Sequence, residues 1–172
     1  GSQKAFMLPP GLAMLSVSKK AWAVIDTIDA PVLYLDLKAY RKSLAGDDTP
    51  YTSAVSLIRG LEVALNMLNE VGIEKIWART ALMAKALREA AVVMGMTVAS
   101  QSPSDSVTAL FLPEGIDDSI RKVLKNSYGV SVAGGQDGWK NRVIRISHMG
   151  YVDPFDTLTV VAALEYALRD LG

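Results

Sequence analysis

Short apolar runs alternate along the chain with long amphipathic stretches, and their spacing predicts the secondary structure. Residues 12–17 (LAMLSV) form a short apolar run between Gly11 and a polar SKK segment, which is typical of a buried strand. Residues 31–37 (PVLYLDL) predict a second strand or extended segment. The polar stretch that follows, 38–50, predicts a short helix and then a loop, and we expect a domain boundary in this loop.

Two long helices are predicted next. The first begins near Thr52 and ends at Gly72, because apolar residues recur at three- and four-residue spacing between them. The second spans about 73–94 and ends at Gly95. A glycine directly after a helix is a common terminator because it adopts the left-handed conformation easily.

The remainder of the chain predicts a small α+β domain. Strands are expected at 107–112, in VSVAGG (130–135) and in VIRIS (143–147), with a helix at 117–129 between the first two. A last helix starts at Asp153 and Pro154, an N-cap residue followed by proline at the first helical position. Its buried face is predicted to hold Leu158, Val161, Ala162 and Leu168.

This order of elements predicts helices on one face of a small, mostly antiparallel sheet. The strands predicted at 12–17 and 31–37 have no helices of their own, so we interpret them as the tail of a larger sheet. We therefore divide the chain into 1–48, a remnant of a larger domain, and 49–172, a linking helix with the small domain.

Composition narrows the classes of function. Lys and Arg together number 18, as do Asp and Glu, and this balance argues against a basic nucleic-acid or membrane binder. The chain has no cysteine and only one histidine, His148, which excludes thiolate and histidine-cluster metal sites within it. No apolar run is long enough to span a bilayer and the start does not resemble a signal peptide, so we expect a cytoplasmic protein.

Lys4 is the first candidate for chemistry, since it stands between a polar start and a rigid Pro-Pro-Gly segment. A neutral lysine amine reacts with carbonyl compounds. Thr52 and Ser53 are the next candidates, because hydroxyls and free N–H groups at a helix start bind anions such as phosphate. The ordinary alternatives are a solvated terminal lysine and simple N-capping.

Arg145 lies inside a short apolar strand, on the face opposite Ile144 and Ile146. A guanidinium group there needs an anion, and a carboxylate bound through two hydrogen bonds is the usual partner. The ordinary alternatives are an internal salt bridge or an edge strand with Arg145 in solvent. His148 is interpreted as structural, and the glycine cluster VAGGQDG as either a turn or a close backbone approach to a ligand.

Taken together, the segments resemble the C-terminal part of class V aminotransferases, which are fold-type I pyridoxal-phosphate (PLP) enzymes that include alanine–glyoxylate and serine–glyoxylate aminotransferases. GSQKAFMLPPGLAMLSVSKKAW resembles the segment around the Schiff-base lysine. TPYTSAVSLIRGLEVALNMLNEVGIEKIWAR resembles the helix that leaves the large domain, and VIRISHMG the strand that carries the substrate arginine. Some relatives of this kind are named soluble hydrogenase small subunits, but a chain without cysteine offers no thiolate for hydrogenase chemistry.

The resemblance implies roles for four residues. Lys4 would bond to PLP and move the substrate proton, and Gln3 would contact the cofactor phosphate. Thr52 would reach the phosphate in the neighbouring subunit of a homodimer, and Arg145 would bind the α-carboxylate of an amino acid or 2-oxo acid. No metal is implied.

The resemblance also implies what this chain does not contain. In the family, the acidic partner of the pyridine nitrogen, the residue stacked on the ring and much of the phosphate loop precede the lysine. We therefore expect a fragment that is inactive alone and that belongs to an enzyme using alanine or serine with glyoxylate or pyruvate. The alternative is a non-catalytic α+β module for interaction or dimerisation.

Overall fold

The computed structural model describes all 172 residues, which divide into two compact units, Gly1–Leu65 and Asn66–Gly172. None of the helices is both long enough and apolar enough to cross a bilayer. The elements in chain order are α1 (Lys19–Thr27), α2 (Leu37–Leu44), α3 (Val55–Val71), α4 (Ile73–Val93), β1 (Thr97–Val98), β2 (Val107–Phe111), α5 (Ser119–Tyr128), β3 (Ala133–Gly134), a 3-10 turn (Asp137–Trp139), β4 (Val143–Ser147) and α6 (Pro154–Leu171).

The second unit contains the predicted antiparallel sheet. Its strand order is β1-β2-β4-β3, and every neighbouring pair is antiparallel. Strands β2 and β4 pair along their whole length, from Val107 opposite Ser147 to Phe111 opposite Val143. The predicted strands at 107–112 and 143–147 are confirmed, whereas VSVAGG contributes only two residues to β3 and the short strand β1 was not predicted.

One face of this sheet supports the hydrophobic core. Ile144 and Ile146 point to it, as does Leu110, which lies directly opposite Ile144 in the register. The helices complete the core from that side with fully buried side chains: Leu87 of α4, Ile120 and Leu124 of α5, and Leu164 of α6. The prediction of helices on one face of the sheet is therefore confirmed.

The buried face of α6 differs in part from the predicted one. Leu158 is 59% exposed and Ala162 is also exposed, while Val161 and Leu168 are partly buried against the core. The fully packed positions are Ala163, Leu164 and Ala167. Helix α6 contacts both α4 and α5, and small alanines allow this close approach. The apolar residues of α6 lie on several sides of the helix, so their spacing alone does not define its buried face.

Among the helix ends predicted from a glycine or a capping residue, all but the start of α3 follow their signals. Helix α3 ends before Gly72 and α4 ends before Gly95, and both glycines have the positive φ of a helix terminator. Asp153 caps α6, because its side chain accepts hydrogen bonds from the backbone N–H groups of Phe155 and Asp156. The start of α3 is the exception, since the helix begins at Val55 rather than near Thr52.

The first unit differs most from prediction. Neither 12–17 nor 31–37 forms a strand, and α1 was not predicted. A strand needs a neighbour to satisfy its backbone groups, and this unit contains no other strand. Helix α1 begins within the polar SKK segment, because Ser18 acts as its N-cap and accepts from the Ala21 N–H at 3.1 Å.

Candidate active site

Lys4 lies on a tight loop that a buried serine closes. The Ser2 side chain is fully buried, donates its hydroxyl proton to the Pro9 carbonyl at 2.7 Å and accepts from the Leu12 N–H at 3.1 Å. The backbone of Ser2 also bonds to Leu12 and Leu8. The hydroxyl and backbone of Ser2 together therefore bond to Leu8, Pro9 and Leu12, which fixes the loop and leaves Lys4 exposed on it.

This loop also packs on the first half of α3, within the same unit. A methyl group added to Gly11 would lie 2.5 Å from a methyl carbon of Leu57, and one added to Gly60 would lie 2.8 Å from a methyl carbon of Leu8. Real Cβ atoms do not approach other atoms so closely, so the two glycines permit the contact. The Lys4 loop is thus held against α3 by close packing as well as by hydrogen bonds.

Gln3 and Thr52 lie in this same unit, and both are exposed. The amide group of Gln3 folds back over Gly1, since a methyl group there would lie 2.7 Å from Gln3 Oε1. Thr52 precedes α3 by three residues. The N-capping alternative is wrong, because the Ala54 carbonyl accepts the first helical bond and Ser53 Oγ bonds to Thr49 Oγ1 at 2.6 Å. Thr52 therefore keeps its hydroxyl free of partners within the chain.

Arg145 lies in β4, an interior strand between β2 and β3. Its Nε donates to the Gly134 carbonyl at 2.9 Å, and the guanidinium forms no ion pair. The two ordinary alternatives, an edge strand and an internal salt bridge, are therefore wrong for this residue. A half-buried guanidinium with one nitrogen tied to the backbone and no carboxylate partner can still bind an anion through its outer nitrogens.

His148, the sole histidine, belongs to a buried polar network. It is 1% exposed, and its Nε2 lies 3.0 Å from the hydroxyl of Thr108. Arg88 of α4 donates Nε to the same hydroxyl at 3.3 Å and pairs with Asp105 through Nη1 at 3.1 Å. Burial and the nearby positive charge of Arg88 lower the pKa of His148, while Asp105 opposes them. These contacts agree with the structural interpretation of this histidine.

The structure places the predicted site residues in both units. Lys4, Gln3 and Thr52 belong to Gly1–Leu65, and Arg145 belongs to Asn66–Gly172. Sequence reasoning did not identify Ser2, the residue that closes the Lys4 loop. No local pattern marks it, because its partners at Pro9 and Leu12 are seven and ten residues away.

Comparison with known proteins finds that the chain is similar to aminotransferases. The chain is 43% identical, over all its length, to an uncharacterized aminotransferase of Methanocaldococcus jannaschii and covers 46% of that protein. It is 41% identical to a protein named soluble hydrogenase, small subunit, from a Synechococcus strain, covering all of this chain and 45% of the relative. No protein-family model matches the chain.

A solved structure gives the same result for the fold. The crystal structure of pyridoxamine–pyruvate aminotransferase from Mesorhizobium loti superposes on all of this chain and on 46% of its own, with a TM-score of 0.92 and 36% identity. The fold class predicted from the sequence, part of a fold-type I aminotransferase, is confirmed. The chain spans about half the length of the curated relatives it matches. The resemblance to the class V aminotransferase family is confirmed over the whole of the chain.

Proposed function

We propose that this chain is part of a PLP-dependent aminotransferase that transfers an amino group between a small amino acid, alanine or serine, and a 2-oxo acid such as glyoxylate or pyruvate. Named relatives support glyoxylate or pyruvate as the 2-oxo acid, and one of them supports serine as the amino donor. One is a serine–glyoxylate aminotransferase of Methylorubrum extorquens, another is an L-aspartate–glyoxylate aminotransferase of Paracoccus denitrificans, and a third is named pyridoxamine–pyruvate transaminase. No observation favours the alternative of a non-catalytic module.

The observation that carries the proposal is the presentation of Lys4. The residue is exposed on a loop closed by the buried Ser2, and its amine makes no ion pair or hydrogen bond within the chain. A fixed loop restricts where the amine can go, and this favours reaction with a carbonyl group held at one place.

The residues present fit PLP. Lys4 offers a free amine for the aldehyde, and Gln3 and Thr52 offer polar groups suited to phosphate oxygens. When bound, PLP supplies the electron sink that stabilises negative charge at the substrate α-carbon. In this proposal Lys4 holds the cofactor and moves the proton at that carbon, Gln3 contacts the phosphate, and Thr52 contacts the phosphate of the partner subunit in a homodimer.

Arg145 binds the substrate carboxylate in this proposal. Its Nε is occupied by the Gly134 carbonyl, which leaves the outer guanidinium nitrogens to form two hydrogen bonds with one carboxylate. This interaction orients the α-carbon without taking part in proton transfer. It also selects acids over amines and neutral carbonyl compounds.

Several broader assignments belong to the same proposal. Residues 1–48 are part of a large cofactor-binding domain, and 49–172 are the linking helix with the small domain. The enzyme is cytoplasmic and homodimeric, without nucleic-acid or membrane partners. The chain alone is expected to be inactive, because it spans less than half of its relatives' length.

Borohydride trapping tests the proposal. The chain is incubated with PLP alone, and separately after coexpression with the complementary portion of a full-length relative, and is then reduced, digested and mapped by mass spectrometry. We expect one adduct, on Lys4, that forms only when the complementary portion is present. The neighbouring Lys19 and Lys20 serve as internal controls, because both are exposed lysines of the same unit.

The variant Lys4→Arg completes the test, since it keeps the charge and removes the reactive amine. We expect no specific adduct and no transamination of glyoxylate by alanine or serine in the reconstituted variant. Adducts spread over many lysines in both samples would contradict the proposal. Near-native turnover by the chain alone would contradict the part that requires a second portion.

A further inference from the structure

Two adjacent glycines in VAGGQDG lie so close to other atoms that a side chain would not fit, and neither is needed for backbone conformation. Gly134 and Gly135 both lack the positive φ that favours glycine. Gly134 pairs with Ile144 as an ordinary strand residue of β3. A methyl group on Gly134 would lie 2.2 Å from Nη1 and 3.1 Å from Cζ of Arg121. The space above Gly134 is therefore filled by a guanidinium group.

Arg121 reaches Gly134 from the helix face of the sheet. Residues that lie opposite each other in an antiparallel pair point to the same face, so a side chain at Gly134 would point with Ile144 toward the core and α5. Arg121 belongs to α5, and its Nε forms an ion pair with Asp118, one turn earlier, at 3.3 Å but without a hydrogen bond. The same Asp118 oxygen would lie 3.3 Å from a methyl group on Gly134.

Arg145 reaches the same glycine from the opposite face. It neighbours Ile144 along β4, so its side chain leaves the sheet on the other side. Its Nε donates to the Gly134 carbonyl at 2.9 Å. Gly134 of β3 is thus held between two arginines. Arg121 lies over its Cα atom, and Arg145 donates a hydrogen bond to its carbonyl oxygen.

Strand β3 needs support from outside the sheet. It has two residues and lies at the edge, so pairing with β4 supplies few bonds to hold it. A carbonyl on such a strand can rotate or fray, and the Arg145 side chain would move with it. Arg121 packs on Gly134 from the face of the sheet that α5 covers, and this contact opposes the motion.

We propose that Arg121 is a positioning residue for Arg145, acting through Gly134, and that it fixes the guanidinium direction used to bind the substrate carboxylate. The consequence for the reaction rests on the proposed function, whereas the structural coupling does not. It also explains both residue types: glycine at 134 admits the guanidinium, and arginine at 121 covers the glycine. Lysine at 121 would lack the planar group that covers the strand.

The coupling is tested with four variants of the full chain: Arg121→Ala, Gly134→Ala, the double variant and Gly138→Ala. Gly138 is the matched control, because it lies in the same loop and a methyl group there meets no atom within 4 Å. The readout is the Nε–H signal of Arg145 in ¹⁵N NMR spectra, assigned by its loss in Arg145→Lys. Backbone amide spectra report whether each variant stays folded.

We expect a protected Arg145 Nε–H in the wild type and in Gly138→Ala. In Arg121→Ala and in Gly134→Ala, its exchange should speed up about tenfold, the change given by the loss of about one net hydrogen bond. The double variant should exchange no faster than Arg121→Ala alone, because removing the Arg121 side chain leaves room for the methyl group that Gly134→Ala introduces. A total loss smaller than the sum of the two single losses is a coupling that two independent losses would not produce.

Unchanged protection in Arg121→Ala, or strictly additive losses in the double variant, would overturn the proposal. A rapidly exchanging Nε–H in the wild type would overturn it as well. An acetate titration followed on the same signal separates the two proposals. If Arg145 does not respond to acetate in the wild type, its carboxylate-binding role fails, while the coupling among Arg121, Gly134 and Arg145 is still decided by the exchange rates.

Discussion

Nε2 of the buried His148 lies 3.0 Å from the hydroxyl oxygen of Thr108. Arg88 donates its Nε–H to the same oxygen, so one hydroxyl links the arginine and histidine side chains. A protonated ring would add a second positive charge beside Arg88 in a buried place, which is why burial and Arg88 both lower the pKa of His148.

The first prediction is a loss of stability in mild acid. The pKa of His148 is lower in the folded chain than its ordinary value of 6.5, so the unfolded chain binds the extra proton first. The contribution of His148 to stability is therefore fully present above about pH 6.5 and falls as the pH drops from there toward the folded pKa. Urea unfolding between pH 7.5 and 5, with His148→Gln as the comparison, measures this slope.

Replacing His148 by glutamine should remove that part of the pH dependence, because glutamine keeps a hydrogen-bonding side chain but does not titrate. Thr108→Val is a second check, since it removes the hydroxyl between the histidine and Arg88. The wild type and the glutamine variant would have parallel stability curves if His148 had an ordinary pKa, and that result would refute the network described here.

A second prediction concerns the Lys4 loop. Ser2→Ala removes the hydroxyl that joins Pro9 and Leu12, and we expect a loss of about 1 kcal/mol in the local stability of the loop. Amide exchange of Leu12 should speed up, and proteolysis near Lys4 should increase. Ser16→Ala is the control, because Ser16 is exposed and its hydroxyl makes no hydrogen bond. Equal exchange in the two variants would show that Ser2 does not hold the loop.

A third prediction distinguishes the observed face of α6 from the one predicted by spacing. Leu164 is fully buried, so Leu164→Ala should lower the free energy of unfolding by about 2–5 kcal/mol. Leu158 is 59% exposed, so Leu158→Ala should change it by less than about 0.5 kcal/mol. Urea denaturation of the two variants makes the comparison, and a larger effect at Leu158 would favour the predicted face.

Sequence patterns predicted the features that depend on neighbouring residues, and they failed where the interacting residues are far apart in the chain. The ends of α3 and α4 and the start of α6 could be predicted, because Gly72, Gly95 and the Asp153 cap act on neighbouring residues. The strand of Arg145 was predicted with its observed bounds, 143–147. Segments 12–17 and 31–37 could not be predicted correctly, because a strand depends on partners elsewhere in the chain.

The candidate site shows the same division. The family resemblance indicated Lys4 and Arg145, and their roles remain predictions until they are tested. The residues that support them act over longer separations: Ser2 reaches Leu12, and Arg121 reaches Gly134, thirteen positions further on. No short pattern contains such pairs, so only the folded chain revealed them.

The last prediction is that the chain alone self-associates. Leu33 and Leu35 are 78% and 77% exposed, and the neighbouring Tyr34 is 60% exposed. Three consecutive apolar side chains in water form a patch that favours association. Sedimentation velocity should therefore show a concentration-dependent increase in size, and the double variant Leu33→Ser, Leu35→Ser should reduce it.

Leu82→Ser, which changes a 65% exposed leucine of the second unit, is the control. A monodisperse monomer at all concentrations would refute the prediction, and equal effects of the two sets of substitutions would mean that the association does not depend on this segment.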